Sequence, residues 1–267
     1  MSSAWDKVID RPAAQGHLVQ IYDEGNERSL VRNVGRYLAE GLRAGDGLLV
    51  IAGAEHNEAF RRELDESGAD TACAIREGWL KFFDAQETLA KFMVGGNPDW
   101  RRFEAAVGAA MRQVRKVDAG AGMRAYGEMV GILWKARQFS AAIRLEQFWN
   151  KLLSRSTFSL YCAYSIDVFG KEFQVSALDG VLCTHTHLVP AETNGNLEAA
   201  MNRAMEQVLG EKASALRVLI KANYRPSWAL MPTGEAIALW LRNNLPNQSD
   251  EILGLARQHY HALQAQS

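Results

Sequence analysis

The amino-acid sequence predicts an α/β fold in which a mostly parallel sheet carries helices on both faces. Short strand-like segments alternate with helix-like segments between residues 17 and 164, and the turns between them are short. Residues 48–51 are apolar without interruption, which is typical of a strand buried on both faces. After residue 195 only helical spacing remains, so a helical extension is expected there.

Short runs of β-branched, aromatic and aliphatic residues predict five strands, at 17–22, 48–51, 79–83, 123–126 and 158–164. Helical spacing predicts helices at 29–43, 55–67, 129–134 and 139–153, and in the segments after Asp84 and Asp99, the latter reaching about residue 117. Both aspartates are expected to cap their helices through free backbone N–H groups. Turns are expected at 23–26 and 97–99.

The change in character predicts an α/β domain over residues 1–195 and a helical extension over residues 196–267. Three helices are expected in the extension. The first carries its apolar residues on one face, the second begins at Pro232, and Ser249 is expected to cap the third.

Composition excludes several classes of protein. The chain has 267 residues, 30 Lys and Arg against 31 Asp and Glu, and a net charge of −1. The extension is equally balanced, with seven basic and six acidic residues, so direct nucleic-acid binding is not expected. The sequence contains neither a secretory signal pattern nor an apolar run of the ~20 residues that a membrane span needs. Three cysteines without a CxxC pair fit a reducing compartment, so a cytoplasmic protein is expected.

Catalytic signatures are missing from the sequence. The turn after the second strand, 53–56, reads Gly-Ala-Glu-His and lacks the Lys-Ser or Lys-Thr of a phosphate-binding loop. The patterns GxSxG, HExxH and GxGxxG are also missing. We therefore expect a protein that is not an enzyme and needs no cofactor.

Glu128 is a candidate binding residue because it follows Gly127 at the end of a strand, where ligands of open α/β sheets bind. The alternative is that Glu128 caps the next helix or pairs with Arg124. Glu146 lies beside the apolar stripe of helix 139–153, and its carboxylate is expected at the exposed edge of that stripe rather than buried with a partner such as arginine.

His185 and His187 would point the same way in a strand, which suits a pair of metal ligands, but no third ligand is evident nearby and no metal site is expected. His17 alternates with apolar residues, which fits either a structural histidine or a pocket residue. Cys162 is expected to be a buried, inert thiol.

Eight short motifs, in the same order, make the chain resemble the DcmR-type sensory domain family, the MEDS domain of methanogens and methylotrophs. The motifs are HLVQIY at 17–22, LAEGLRAGD at 38–46, DAQETL at 84–89, RAYGEMV at 124–130, LW at 133–134, LEQFWN at 145–150, LYCAY at 160–164 and HTHLVP at 185–190. The resemblance covers about residues 15 to 192.

This resemblance implies a fold related to RecA and KaiC without the ATP-binding loop, and a sensory role in signalling and transcription regulation. The ligand it implies is a small organic molecule such as a hydrocarbon derivative. On the same basis the ligand site is expected to include His17, Tyr22, Arg124, Glu128, Trp134, Glu146, Trp149, Tyr164 and His185. Glu128 and His17 are the first candidates among these nine.

The sequence departs from the namesake regulator because only about 15 residues precede the domain, too few for a helix-turn-helix. The signal is therefore expected to pass through the C-terminal helices to a protein partner or to a second copy of the chain. Three alternatives stay open: an enzyme in which Glu128 acts with His17 or His185 as general acid and base, a nucleotide-binding module without hydrolysis, and a pure interaction module.

Overall fold

The computed structural model describes residues 4–23, 27–117, 120–191, 195–222, 225 and 227–265. Its strands are β1 (His17–Tyr22), β2 (Gly47–Ala52), β3 (Leu80–Asp84), β4 (Met93–Val94), β5 (Asn97–Pro98), β6 (Met123–Gly127), β7 (Ser159–Ser165) and β8 (His187–Val189). Its helices are α1 (Ala4–Asp10), α2 (Arg28–Arg43), α3 (Ala54–Glu66), α4 (Thr71–Glu77), α5 (Ala85–Ala90), α6 (Trp100–Gln113), α7 (Met129–Lys135), α8 (Phe139–Leu153), α9 (Val175–Thr184), α10 (Asn196–Leu209), α11 (Lys212–Ala222), α12 (Thr233–Asn244) and α13 (Pro246–Gln264).

Six strands form one parallel sheet in the order β3-β2-β6-β7-β1-β8, while β4 and β5 form a separate short antiparallel pair. Helices cover both faces of the sheet. α1 to α4 pack on one face, and α5 to α9 pack on the other. The predicted α/β fold class, with its parallel sheet and C-terminal helices, is confirmed, and each of the five predicted strands is present.

The C-terminal region contains four helices in its described part, α10 to α13, where three were expected. α11 was not predicted, and neither were α1, α4 and α9. Buried side chains of α10, α12 and α13 belong to the same continuous apolar cluster as those of α5 to α9. Residues 24–26 of one expected turn, and residues 192–194 beside the expected domain boundary, lie outside the described residues.

Two predicted caps are confirmed and one is wrong. The carboxylates of Asp84 and Asp99 accept hydrogen bonds from the backbone N–H groups of Glu87 and Arg102, at 2.8 and 2.9 Å. Ser249 lies inside α13, which begins at Pro246, a residue well suited to the first turn of a helix.

Helix α6 ends at Gln113, short of residue 117. The chain beyond it is extended because backbone N–H groups of Arg115 and Val117 bond instead to the carbonyl oxygens of Gly78 and Gly45. Among the described helices, none is both long enough and apolar enough to span a lipid bilayer.

Candidate functional site

A cavity of about 1110 Å³ opens at the carboxyl ends of β1 and β7. These two strands are neighbours, yet the chain continues from β1 into α2 on one face and from β7 into α9 on the other. Such a divergence leaves a crevice where open α/β sheets bind ligands. The sheet contributes Ile21, Tyr22, Leu188 and Val189 to the lining, and Ile166 follows directly after β7. The C-terminal helices contribute Leu197, Glu235, Arg257, Tyr260, His261 and Gln264.

Glu235 is the buried acidic residue of this lining, with 6% of its surface exposed. Burial raises the pKa of its carboxyl to about 8, and the nearby charge of Glu198 acts in the same direction. The carboxyl is therefore largely protonated at neutral pH and has an O–H group to donate.

Two contacts join α13 to the loop after β7 at the cavity. Arg257 forms an ion pair with Asp167, and the ring of Tyr260 lies 5.8 Å from that of Phe169. All four residues line the cavity. Helix α13 is thus held against the loop after β7 beside the cavity.

Glu128 lies at a second divergence of the chain, between β2 and β6. Its Oε2 is 2.8 Å from Nδ1 of His56 and accepts a hydrogen bond of 3.4 Å from the N–H of Gly53. Nε2 of His56 lies 3.0 Å from a carboxylate oxygen of Glu27. Burial lowers the pKa of His56, but the hydrogen bonds and charges of Glu128 and Glu27 outweigh it, and the net pKa is raised above 6.5.

This arrangement argues against a helix cap as the role of the Glu128 side chain. The residue stands at the N-cap position of α7, but its side chain makes no capping hydrogen bond. Its carboxylate instead faces the start of α3. In a protein with a phosphate-binding loop, the corresponding helix start holds the phosphate. The histidine beside it is His56, whereas His17 and His185 lie elsewhere.

Glu146 is fully buried, so the expected position at an exposed edge is wrong. Its partners are two histidines and a tyrosine, not an arginine. His17 begins β1 and His185 directly follows α9, and their Nε2 atoms each lie 3.3 Å from a carboxylate oxygen of Glu146. Tyr164 donates a hydrogen bond of 2.6 Å to Oε1. Sequence spacing gives no sign of this, because the partners come from β1, β7 and the end of α9.

Cys162 completes this buried cluster. Its Sγ lies 3.4 Å from Nε2 of His17 and 3.6 Å from Oε2 of Glu146. Burial and the charge of Glu146 raise the pKa of the thiol well above its ordinary value, in keeping with the expected inert thiol. We call the group of His17, Glu146, Cys162 and His185 the buried cluster.

The charges of the buried cluster are set by competing effects. Burial and the neighbouring His185 lower the pKa of His17 below 6.5, against the opposing effect of Glu146. Burial alone would raise the pKa of the Glu146 carboxyl, but the two histidines outweigh it and lower that pKa well below the usual range.

His185 and His187 do not act as a pair. His185 lies between α9 and β8, while His187 begins β8 and its ring packs edge-on against Trp5. The two histidines therefore do not share a strand, the arrangement in which their side chains would point the same way. The fold instead brings His185 to three residues with possible ligand atoms, which are distant in sequence.

The three remaining predicted residues, Arg124, Trp134 and Trp149, make contacts within the fold and do not line the cavity. Arg124 lies near the amino end of β6, away from the cavity, and its guanidinium binds Asp46. Trp134 packs against Tyr164 with ring centroids 5.3 Å apart, and Trp149 is fully buried beside Gly127. Neither tryptophan lines the cavity.

The nine predicted residues therefore separate in space. Tyr22 lines the cavity, and the ring of His56 lies between Tyr22 and Glu128. Four other residues meet inside the fold: His17, Glu146, Tyr164 and His185. Sequence reasoning missed Glu27, His56 and Glu235. It also missed the part of Cys162 in the cluster, although Cys162 and Tyr164 are two residues apart on a strand and so share a face.

A family model described as the methanogen/methylotroph, DcmR sensory domain (MEDS) matches residues 16–186. No curated protein and no solved structure matches the chain significantly. The matched segment runs from the start of β1 to the residue before β8, and it contains all nine predicted site residues. The chain therefore belongs to the MEDS family of sensory domains.

Proposed function

We propose that this protein is a sensor without enzymatic activity that binds a small organic ligand in the cavity at the carboxyl ends of β1 and β7. One observation carries the proposal: the sensory domain and the C-terminal helices line the same cavity. A ligand held there would contact both parts at once, which is what a sensor needs in order to transmit binding.

The buried residues of the lining favour a molecule with an apolar body, whereas exposed lining residues such as Arg32, Arg62 and Glu66 are charged. Ile21, Ile166, Phe173 and Leu188 supply apolar surface, and all are buried. The protonated carboxyl of Glu235 would donate a hydrogen bond to an oxygen or another acceptor of the ligand. Apolar walls with a few polar groups are the usual composition of a small-molecule site. A short-chain hydrocarbon derivative fits this chemistry.

Transmission would follow from the contacts of α13. A ligand that displaces Tyr260 from Phe169, or Arg257 from Asp167, weakens the contact between α13 and the sheet. The population of conformers would then shift, and with it the surface that the C-terminal helices offer. Because these helices carry nearly balanced charge, the recipient we propose is a protein rather than a nucleic acid.

Thermal-shift measurements on the full chain test ligand binding. The probes are short alcohols, halogenated methanes, formate, acetate and ATP. We expect at least one of the organic probes to raise the Tm of the wild type, and to raise it less for Glu235→Gln and Tyr260→Ala. Arg102→Ala, an exposed position on α6, serves as the control and should respond like the wild type.

Two outcomes would contradict the proposal. One is that no probe stabilises the wild type. The other is that the cavity variants respond as fully as the control. For transmission, size-exclusion chromatography with and without the stabilising probe would reveal a change in self-association, and cross-linking to copurified proteins would reveal a separate partner.

A further inference from the structure

We infer that the buried cluster of His17, Glu146, Cys162 and His185 is a four-ligand site for a divalent metal ion of the zinc class. Each residue offers one ligand atom, and the four atoms lie within 4.8 Å of one another. All four residues are buried, and none of them lines the cavity. The site is thus separate from the proposed ligand site.

The spacing of three of the four ligand atoms fits one face of a tetrahedral site. Zinc bonds of about 2.0–2.3 Å to nitrogen, oxygen and sulfur imply ligand atoms about 3.3–3.7 Å apart at the corners of a tetrahedron. Nε2 of His17 lies 3.3 Å from Oε2 of Glu146 and 3.4 Å from Sγ of Cys162. The third edge, from Sγ to Oε2, is 3.6 Å.

The hydrogen bonds of the two histidines direct their ligand atoms inward. Nδ1 of His17 lies 3.0 Å from the carbonyl oxygen of Thr184, and Nδ1 of His185 lies 2.7 Å from that of Val181. A carbonyl oxygen only accepts, so each Nδ1 donates outward and each Nε2 is directed toward the centre of the cluster.

Both Nε2 atoms face the buried carboxylate of Glu146, each at 3.3 Å. Nε2 of His185 is buried and forms no hydrogen bond with any described group, although Oε1 of Glu146 is 3.3 Å away. A metal ion would satisfy both imidazoles and the carboxylate together. It would also give the buried Nε2 atom of His185 a partner.

Outer contacts hold the ligands as they do in known metal sites. Asn150 places its Oδ1 2.9 Å from Nδ1 of His17 and donates its amide to the carbonyl oxygen of Thr184. Tyr164 fixes Oε1 of Glu146 and leaves Oε2 facing His17 and Cys162. Such contacts around a metal set the tautomer and orientation of its ligands.

The ligand types select the class of metal. A thiolate with two imidazoles suits zinc and cobalt, whereas magnesium and calcium prefer oxygen ligands. On binding, the thiol of Cys162 would release its proton to solvent and become a thiolate. One divalent ion with one thiolate and one carboxylate is neutral, which suits a buried site. The ion would join β1, β7, α8 and the end of α9.

Metal content and cobalt binding test the inference. We expect the full chain, purified from zinc-supplemented medium, to hold about one zinc ion per chain by mass spectrometry. After chelation, titration with Co²⁺ should produce a thiolate-to-cobalt charge-transfer band. Cys162→Ser should abolish that band, and Asn150→Ala should weaken Co²⁺ binding about 10- to 100-fold.

Matched controls come from the same region. Cys183→Ser removes an exposed thiol of α9, and His187→Gln removes the half-buried histidine at the start of β8. Both should keep the zinc content and the cobalt band of the wild type. If Cys162→Ser does not fold, the wild-type band and its weakening in Asn150→Ala decide the question. The inference is overturned if the wild type gives no band, or if Cys162→Ser or Asn150→Ala binds Co²⁺ as the wild type does.

Discussion

The hydroxyl of Tyr164 donates a hydrogen bond of 2.6 Å to Oε1 of Glu146, and both side chains are completely buried. A hydrogen bond to a charged group stabilises a fold by about 1.5–3 kcal/mol. Tyr164→Phe removes this donor and leaves the carboxylate less well satisfied. We expect the free energy of unfolding to fall by about that amount, as measured by urea denaturation followed by circular dichroism.

Tyr161→Phe is the matched control, because Tyr161 lies on the same strand and is equally buried. Its hydroxyl donates a bond of the same length, 2.6 Å, to the neutral amide oxygen of Gln20. The expected loss is smaller, about 0.5–1.5 kcal/mol. Equal losses for the two variants would show that the charge of Glu146 does not strengthen the bond from Tyr164.

Glu146 also shows what sequence reasoning can and cannot reach. Local spacing correctly placed it on α8 beside an apolar stripe, because helical periodicity depends only on near neighbours. Its burial depends on His17 and His185, which arrive from distant segments. The spacing of residues within one helix does not reveal partners that come from other parts of the chain. The resemblance to a family selected Glu146 as a site residue, but the reason for that selection is visible only in three dimensions.

The strands and long helices were predictable for the same local reason. Uninterrupted apolar residues identified β2, and Asp84 and Asp99 marked helix starts through their own side-chain hydrogen bonds. The short helices α1 and α4 have seven residues each, too few for periodicity to stand out. The position of Arg124 relative to the cavity required the direction of β6 in the sheet, which the sequence alone does not give.

Arg124 is expected to stabilise the fold rather than to hold a ligand. Its guanidinium pairs with Asp46 at 2.8 Å and donates to the carbonyl oxygens of Tyr37 and Asp10, at 2.9 and 3.0 Å. Arg124→Met leaves a largely buried carboxylate and several carbonyl groups without this donor. We expect a loss of about 3–5 kcal/mol in the free energy of unfolding, measured by urea denaturation.

Arg124→Lys separates charge from geometry at this position. Lysine keeps the positive charge but cannot reproduce the planar fork of donors, so we expect it to recover only part of the lost stability. Full recovery would mean that the charge alone matters. An unchanged Tm for Arg124→Met would contradict the structural role altogether.

The contacts of His56 predict a pH-dependent contribution to stability. Its pKa is raised in the folded chain, chiefly by Glu128 and Glu27 against the effect of burial. The protonated imidazole therefore stabilises the fold fully below its unfolded pKa of about 6.5, and this contribution is lost as the pH rises through the folded pKa. We expect the free energy of unfolding of the wild type to exceed that of His56→Gln most clearly below pH ~6.5. Urea denaturation of both proteins from pH 5.5 to 8.5 measures this difference.

Glu128→Gln tests the same contribution without removing the imidazole. The amide keeps the shape of the side chain but not its charge, so the pH dependence attributed to His56 should shrink in this variant. A wild-type advantage over His56→Gln that grows with rising pH would contradict the assigned direction of the shift.

Glu235 predicts the opposite kind of pH dependence in the cavity. Its folded pKa of about 8 is raised above the ordinary 4.5, so the folded chain holds the proton more tightly than the unfolded chain. Stability from this group is present at low pH and is lost as the pH rises between those values, by up to about 1.4 kcal/mol per pH unit. The glutamine of Glu235→Gln cannot ionise. The free energy of unfolding of this variant should therefore rise relative to that of the wild type between pH 5 and 8.

Glu198→Gln is the companion variant, because the charge of Glu198 helps to raise the pKa of Glu235. Its loss should lower that pKa and move the pH-dependent window downward. The measurement is urea denaturation at half-unit pH intervals. A constant difference between wild type and Glu235→Gln across this range would show that Glu235 titrates normally in the folded chain.

Two glycine-to-alanine substitutions should act in opposite directions because of their surroundings. A Cβ added at Gly131 of α7 would lie 2.8 Å from the carbonyl oxygen of Ala163 in β7, so helix and strand must separate. We expect Gly131→Ala to lower the free energy of unfolding by about 1–3 kcal/mol. Gly254 lies inside α13 with no atom within 4 Å of the added Cβ, and Gly254→Ala should raise stability by about 0.5–1 kcal/mol through helix propensity alone. Urea denaturation of both variants measures the difference, and equal effects would mean that α7 does not approach β7 as closely as this contact requires.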